Sequence, residues 1–146
     1  MIYIIAFLLL ALIISTIFFY NNLQQKFLNL QGIPISLPFP YNNFNLTENK
    51  NYIFCLSTQC PHCNKIIDEL INLNNKINNV YVIFIEDNVT SEKYLKTKGS
   101  LNFEIIKDIK WEELFISQTP FMYVLNEKGI IIEKGIIKNT KLLDIY

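Results

Sequence analysis

Two short, uninterrupted apolar runs, Tyr52–Leu56 and Val80–Ile85, flank a stretch with helical periodicity, and this arrangement constrains the fold more than any other feature of the chain. Such runs read as strands buried on both faces. Between them, Asn64 to about Asn78 carries Ile66, Ile67, Leu70, Ile71, Leu73 and Ile77 in one broad stripe, which predicts an amphipathic helix. A strand, helix and strand of these lengths imply a right-handed parallel crossover. Further on, Asn126-Glu-Lys-Gly129 is a turn signal between Phe121–Leu125 and Ile130–Ile137, so these two runs should form an antiparallel hairpin. Thr90–Lys98 and Lys110–Ile116 read as two more helices, with Gly99 ending the first, and Lys138–Tyr146 as a short closing helix.

Cys60-Pro61-His62-Cys63 sits where the first run gives way to the amphipathic helix, and this placement reads as a dithiol active site. Unpaired N–H groups and the positive end of the helix dipole favour thiolate at the first sulfur, which makes Cys60 the candidate nucleophile. Cys63 lies one turn further in, close enough to close a disulfide and shielded enough to resolve one. Pro61 suits a first helical turn, where its missing N–H costs nothing. A partly protonated His62 between the cysteines would stabilise the Cys60 thiolate, and with it the reduced form, making the disulfide a stronger oxidant. The span available to such motifs, from thioredoxin to DsbA, is about 150 mV, or about 7 kcal/mol for two electrons. Zinc is the competing use of a C-x-x-C, but Cys55 on a strand and His62 wedged between the cysteines are poorly placed to complete a tetrahedron. An inert structural disulfide is the other. Cys55, inside an apolar run, reads as core.

Met1 to Tyr20 contains no charged side chain, and about 20 helical residues span the roughly 30 Å hydrocarbon core of a bilayer. A cleaved signal peptide is the alternative, but it would want a basic start, a shorter apolar core and a small-x-small cleavage site. The chain divides on this reading into a transmembrane anchor (1–20), a juxtamembrane tether (21–39) and one domain (40–146). In the tether, Leu23, Phe27 and Leu30 at helical spacing suggest that the anchor helix continues to Gly32, and three prolines in Ile33–Pro40 suggest an extended spacer. Lys26 is the only nearby charged side chain, so charge bias sets orientation weakly. A short N-terminal tail and a dithiol suited to an oxidising compartment favour an extracytoplasmic domain.

Thirteen lysines balance thirteen acids, arginine is absent and no basic stripe forms, so the composition offers no electrostatic footprint for nucleic acid. The asparagine, isoleucine and lysine bias points to an AT-rich bacterial coding sequence.

The order of these elements, with C-x-x-C at the first helix start, resembles the thioredoxin fold: an α/β domain with a central mixed sheet of four to five strands flanked by helices, here behind one N-terminal transmembrane helix. Ser57-Thr-Gln-Cys-Pro-His-Cys-Asn-Lys65 resembles the active-site segment of thioredoxin-like proteins, and Gln118-Thr-Pro-Phe-Met-Tyr-Val-Leu-Asn-Glu-Lys-Gly129 resembles their cis-proline loop and hairpin. The anchor and the extra length around residues 86 to 116 are similar to the tethered TlpA, ResA and MauD group, while Pro-His matches the DsbA pattern. The resemblance implies a cis Pro120 packed against the dithiol and a Thr119 backbone that pairs with an extended substrate. The chain departs from the pattern at Gln59, where thioredoxins often carry tryptophan, and at Phe54, where thioredoxin carries a buried aspartate. Glu86 or a water is left to deprotonate Cys63.

The expected function is cofactor-free thiol-disulfide exchange on a cysteine-containing exported protein, with a membrane redox partner and with lipid contact through residues 1–20 of a single-pass cell-membrane protein. Pro-His favours oxidation or maturation of the partner; the tethered architecture favours a dedicated reductant of the cytochrome c maturation type. A third reading is a copper-handling protein on the same fold, with Cys60, Cys63 and a histidine as ligands, although SCO-type copper proteins space their cysteines differently and use a distant histidine.

Overall fold

The computed structural model describes residues 2–41, 45–46, 48–72, 79–99, 101, 103–138 and 140. They fall into two compact units, Met1–Gln31 and Gly32–Tyr146. The first is a single helix, α1 (Ile2–Leu30). Its stretch Tyr3–Gln24, 22 residues with a mean hydropathy of 2.5, is long and apolar enough to cross a membrane, and none of it is buried in the protein. Polar side chains along it bond locally, Thr16 Oγ1 donating to the Ile13 carbonyl at 2.8 Å and Gln24 Nε2 to Tyr20 Oη at 2.8 Å. The helix runs on to Leu30, as the spacing of its apolar residues predicts, and Gly32 follows with φ 74°.

The second unit is built on a five-stranded sheet in the order β3-β2-β1-β4-β5. Its strands are β1 (Asn51–Leu56), β2 (Val80–Phe84), β3 (Glu104–Ile106), β4 (Phe121–Leu125) and β5 (Ile131–Ile136), with α2 (Pro61–Ile71) and α3 (Asn88–Lys96) in the crossovers. β1 pairs with β2 in parallel, Phe54 opposite Val82, and with β4 antiparallel, Phe54 opposite Met122. The predicted hairpin is β4–β5, with a register shift at Val124/Leu125.

Because strand side chains alternate, the buried central strands feed two cores. One holds Phe54, Leu56, Val82 and Val124 against Cys63, Ile66, Ile67 and Leu70 of α2 and Leu95 of α3. The other holds Ile53, Cys55, Tyr81, Ile83 and Tyr123 against Ile33, Phe39, Leu114 and Ile116.

Two expectations need correction. Residues 33–40 are a strap on the second core, and no free spacer precedes residue 40. Ile33 and Phe39 are buried, the Ser36 N–H bonds the Ile131 carbonyl at 2.8 Å, and the Phe39 N–H bonds the Gly129 carbonyl at 2.9 Å. The prolines do extend this segment, but an extended backbone with apolar side chains can lie along a domain as well as lead away from it, so the domain begins at Gly32. The stretch 110–116 forms a 3-10 turn (Trp111–Leu114) closed by Phe115 at φ 52°, in place of a full helix. The short edge strand β3 has no counterpart among the strands the sequence predicts. The closing helix expected over 138–146, Lys138 and Thr140 apart, and the end of the helix after the dithiol, including Leu73 and Ile77, lie outside the described residues.

One hydroxyl ties the strap to the sheet. Fully buried Tyr123 accepts from the Ile33 N–H at 3.0 Å and donates to the Leu114 carbonyl at 2.6 Å. A Cβ on Gly32 would lie 2.6 Å from that hydroxyl oxygen and 2.9 Å from Phe121 Cζ, so both the positive φ and the space require glycine. Tyr123→Phe strands a buried donor and a buried acceptor, and should lower stability by about 2 kcal/mol while raising hydrogen exchange at Ile33. An unchanged denaturation midpoint and unchanged exchange would show that the strap is held otherwise.

Candidate active site

Beyond Leu56 the chain turns through Ser57–Gln59 and delivers Cys60 as the N-cap residue of α2, with Pro61 in the first turn and Cys63 on the buried face. The helix therefore starts at Pro61, three residues before the start its apolar stripe suggested. Both cysteines are free thiols, Cys60 half-buried and Cys63 buried.

The two sulfurs are treated differently. At Cys60 burial works against ionisation, but the Cys63 thiol and the backbone N–H groups of Cys63 and His62, with Thr119 adding to them, hold its pKa below the ordinary cysteine value. In the thiol form Cys60 makes no side-chain capping bond. The first-turn N–H groups come into play when the sulfur is an anion. At Cys63 burial dominates and pushes the pKa up to about 11, opposed first by the Ser57 backbone N–H. Phe54 shares its core, and no carboxylate stands at that strand position.

The loop before β4 closes the site from the other side. Cys60 Sγ donates to the Thr119 carbonyl at 3.8 Å, the Thr119–Pro120 peptide bond is cis, and Pro120 is buried. Thus the structure brings Cys60, Cys63, Thr119 and Pro120 together at one end of the sheet. His62 is at the site in a different way: its side chain is exposed, and its contribution to lowering Cys60 is made by its backbone N–H. Pro61 is exposed beside it.

Cys55 belongs to the other core, on the opposite face of the sheet, where burial pushes its thiol far up. It cannot meet either active-site sulfur. Among the described residues no group of three His, Cys, Asp or Glu side chains is arranged to hold a metal ion.

Sequence reasoning missed the brace between α2 and α3. Tyr94 Oη donates to Asn64 Oδ1 at 2.6 Å, its ring meets Phe84 edge-on, and Lys98 lies 5.4 Å from its centroid while pairing with Asp68 at 2.7 Å. No short-range pattern links residues about 30 positions apart. Ser57 and Glu86 also meet here.

Since the thiolate is the reacting species, alkylation of the folded protein should follow the two pKa values in order. Cys60 should be modified along a titration below the ordinary cysteine range, Cys63 only as the pH approaches about 11, and Cys55 not at all while the fold persists. Modification of Cys63 at or before Cys60, read by peptide mass, would contradict this ordering.

No protein-family model matches the chain, and no curated protein matches it in sequence. Solved structures do match in shape. A domain of a possible thiol-disulfide isomerase from Cytophaga hutchinsonii is 22% identical with a TM-score of 0.53, covering 72% of this chain and 86% of that one. The thioredoxin domain of a thiol-disulfide oxidoreductase from Bacteroides vulgatus is 12% identical with a TM-score of 0.52, covering 70% and 88%. A yeast mitochondrial 1-Cys peroxiredoxin is 14% identical with a TM-score of 0.54, covering 72% and 68%. At such identities the likeness is one of architecture, and together with the mixed five-stranded sheet it establishes that this chain has a thioredoxin-like fold.

Proposed function

We propose that the protein is a membrane-tethered thiol-disulfide oxidoreductase that acts on cysteines of exported proteins through Cys60 and Cys63. The observation that carries this reading is the asymmetry of the pair: an accessible sulfur with lowered pKa at a helix N-terminus, beside a buried sulfur with raised pKa. An inert structural disulfide has no use for such a difference.

In the oxidising direction, a substrate thiolate attacks Cys60 of the Cys60–Cys63 disulfide. The S–S bond breaks, Cys63 leaves with the electron pair and takes a proton, and a mixed disulfide remains on Cys60. The substrate's second thiolate then attacks its own sulfur in that bond. Substrate leaves as a disulfide, Cys60 leaves as a thiolate, and the two electrons stay on the dithiol until a membrane redox partner removes them. A stabilised Cys60 thiolate is the better leaving group, and stabilising the reduced form makes the disulfide the stronger oxidant, so the lowered Cys60 pKa favours oxidation or maturation of the partner over a dedicated reductant. Thr119 and cis Pro120, beside Cys60, are the backbone against which an extended substrate would pair.

Apolar α1 is the anchor to lipid in this reading, with the domain on the extracytoplasmic side, where disulfides persist.

Cys63→Ser should accumulate mixed disulfides between Cys60 and partner proteins, whereas Cys60→Ser should accumulate few or none. Equal trapping by the two variants would remove the role assignment, and the protein captured on Cys60 identifies the substrate.

A further inference from the structure

Glu86 lies two residues beyond the end of β2, and both oxygens of its carboxylate are engaged by the loop that leads into the dithiol. Ser57 Oγ donates to Oε1 at 2.6 Å, and the Thr58 N–H points at both oxygens, 3.0 and 3.1 Å away. Ser57 closes the turn from within, its Oγ accepting from the Gln59 N–H at 3.2 Å and its carbonyl from the Cys60 N–H at 3.3 Å. The parallel register of β1 and β2 makes this meeting possible. Leu56 lies opposite Phe84, and the Ile85 N–H bonds the Leu56 carbonyl at 3.0 Å, which brings the residues beyond each strand side by side.

The turn matters because Ser57 has a second role. Its own N–H is also the leading influence that favours the Cys63 thiolate against burial. Cys63 bears negative charge as leaving group in one direction of exchange and as nucleophile in the other.

We propose that Glu86 is a positioning residue for the resolving thiol: by clamping Ser57 and Thr58 it fixes the turn that presents the Ser57 backbone N–H to Cys63 Sγ whenever that sulfur is anionic. The carboxylate is spent on the loop and so acts through Ser57, instead of taking the proton from Cys63 itself. This rests on the exchange reading of the dithiol and adds to it the means by which a sulfur packed in an apolar core, with no carboxylate at the Phe54 position, still ionises.

The test uses the reduced full-length protein in detergent micelles and a substoichiometric aromatic disulfide, dithiobis(nitrobenzoate), whose thiolate is coloured. Cys60 attacks it and releases one aromatic thiolate, leaving the other half on Cys60; Cys63 attacks that mixed disulfide at Cys60 and releases the second. The first phase reports Cys60 and the second reports Cys63. Glu86→Ala should leave the first phase within about twofold and slow the second at least threefold near neutral pH, with its pH profile moved upward. The threefold follows from a one-unit rise in the Cys63 pKa, which cuts the thiolate fraction about tenfold while the more basic sulfur recovers about threefold in reactivity. Glu86→Gln keeps acceptor oxygen for the turn and should restore most of the second phase.

A wild-type second phase in Glu86→Ala would overturn the proposal, and so would equal slowing of both phases, which is the mark of a merely structural role. Ser57→Ala, which keeps the N–H but loses the hydroxyl link, should give the same selective slowing to a smaller degree if Glu86→Ala does not fold, and an unaltered second phase there would also overturn it. Absence of any second release in the unsubstituted protein is the distinguishable case: it overturns the exchange reading itself, and this proposal with it.

Discussion

The chemistry of this protein depends on where the N-terminus of α2 meets the edge of the core. Cys60 is the N-cap residue and Cys63 sits on the helix's buried face, so a single turn of backbone carries one sulfur toward solvent and unpaired N–H groups and the other into apolar packing. Desolvation acts on both. At Cys60 the neighbouring thiol and the first-turn N–H groups outweigh it; at Cys63 the neighbouring sulfur adds to it, and one N–H from Ser57 leads the opposition. The difference between the two sulfurs therefore comes from placement, with no charged side chain buried between them among the described residues.

The sheet supplies that placement. Parallel pairing of β1 with β2 brings Ser57 beside Glu86, and antiparallel pairing of β1 with β4 brings Thr119 and Pro120 to the same end of the sheet as Cys60. The two-residue period of β1 keeps Cys55 out of the chemistry: Phe54 and Leu56 face α2 and Cys63, while Cys55 faces the strap. A one-residue slip of β1 would exchange these environments, which is why burial of all six of its residues matters to function as well as stability.

The β-α-β crossover, the hairpin and the dithiol at a helix start were legible because each rests on a local signal: an apolar run, a 3.6-residue stripe, a Gly turn, a motif. The cis state of Pro120 was legible only through family resemblance, since nothing local distinguishes it from an ordinary strand-initiating proline. What stayed hidden rests on partners far apart in sequence. β3 is three residues, Glu104–Ile106, too short to alternate or to form a run. The strap looked like a spacer because its prolines are visible in sequence, while its contacts to Gly129 and Ile131 are not. His62 invited an argument from its imidazole, but a side chain just inside an exposed helix start projects into solvent while its N–H faces the cap. Glu86 reads from sequence as a proton acceptor because it is an acid near the end of a strand; its carboxylate is instead bonded to Ser57 and Thr58.

The measurement closest to the central claim is a redox titration of the full-length protein in detergent against glutathione or dithiothreitol buffers, with the cysteine states read by peptide mass. One two-electron transition that interconverts the Cys60–Cys63 dithiol and disulfide is expected, at a potential above the roughly −270 mV of thioredoxin, with Cys55 a thiol throughout. A Cys60–Cys63 disulfide that forms at no poise, or one that involves Cys55, would contradict it.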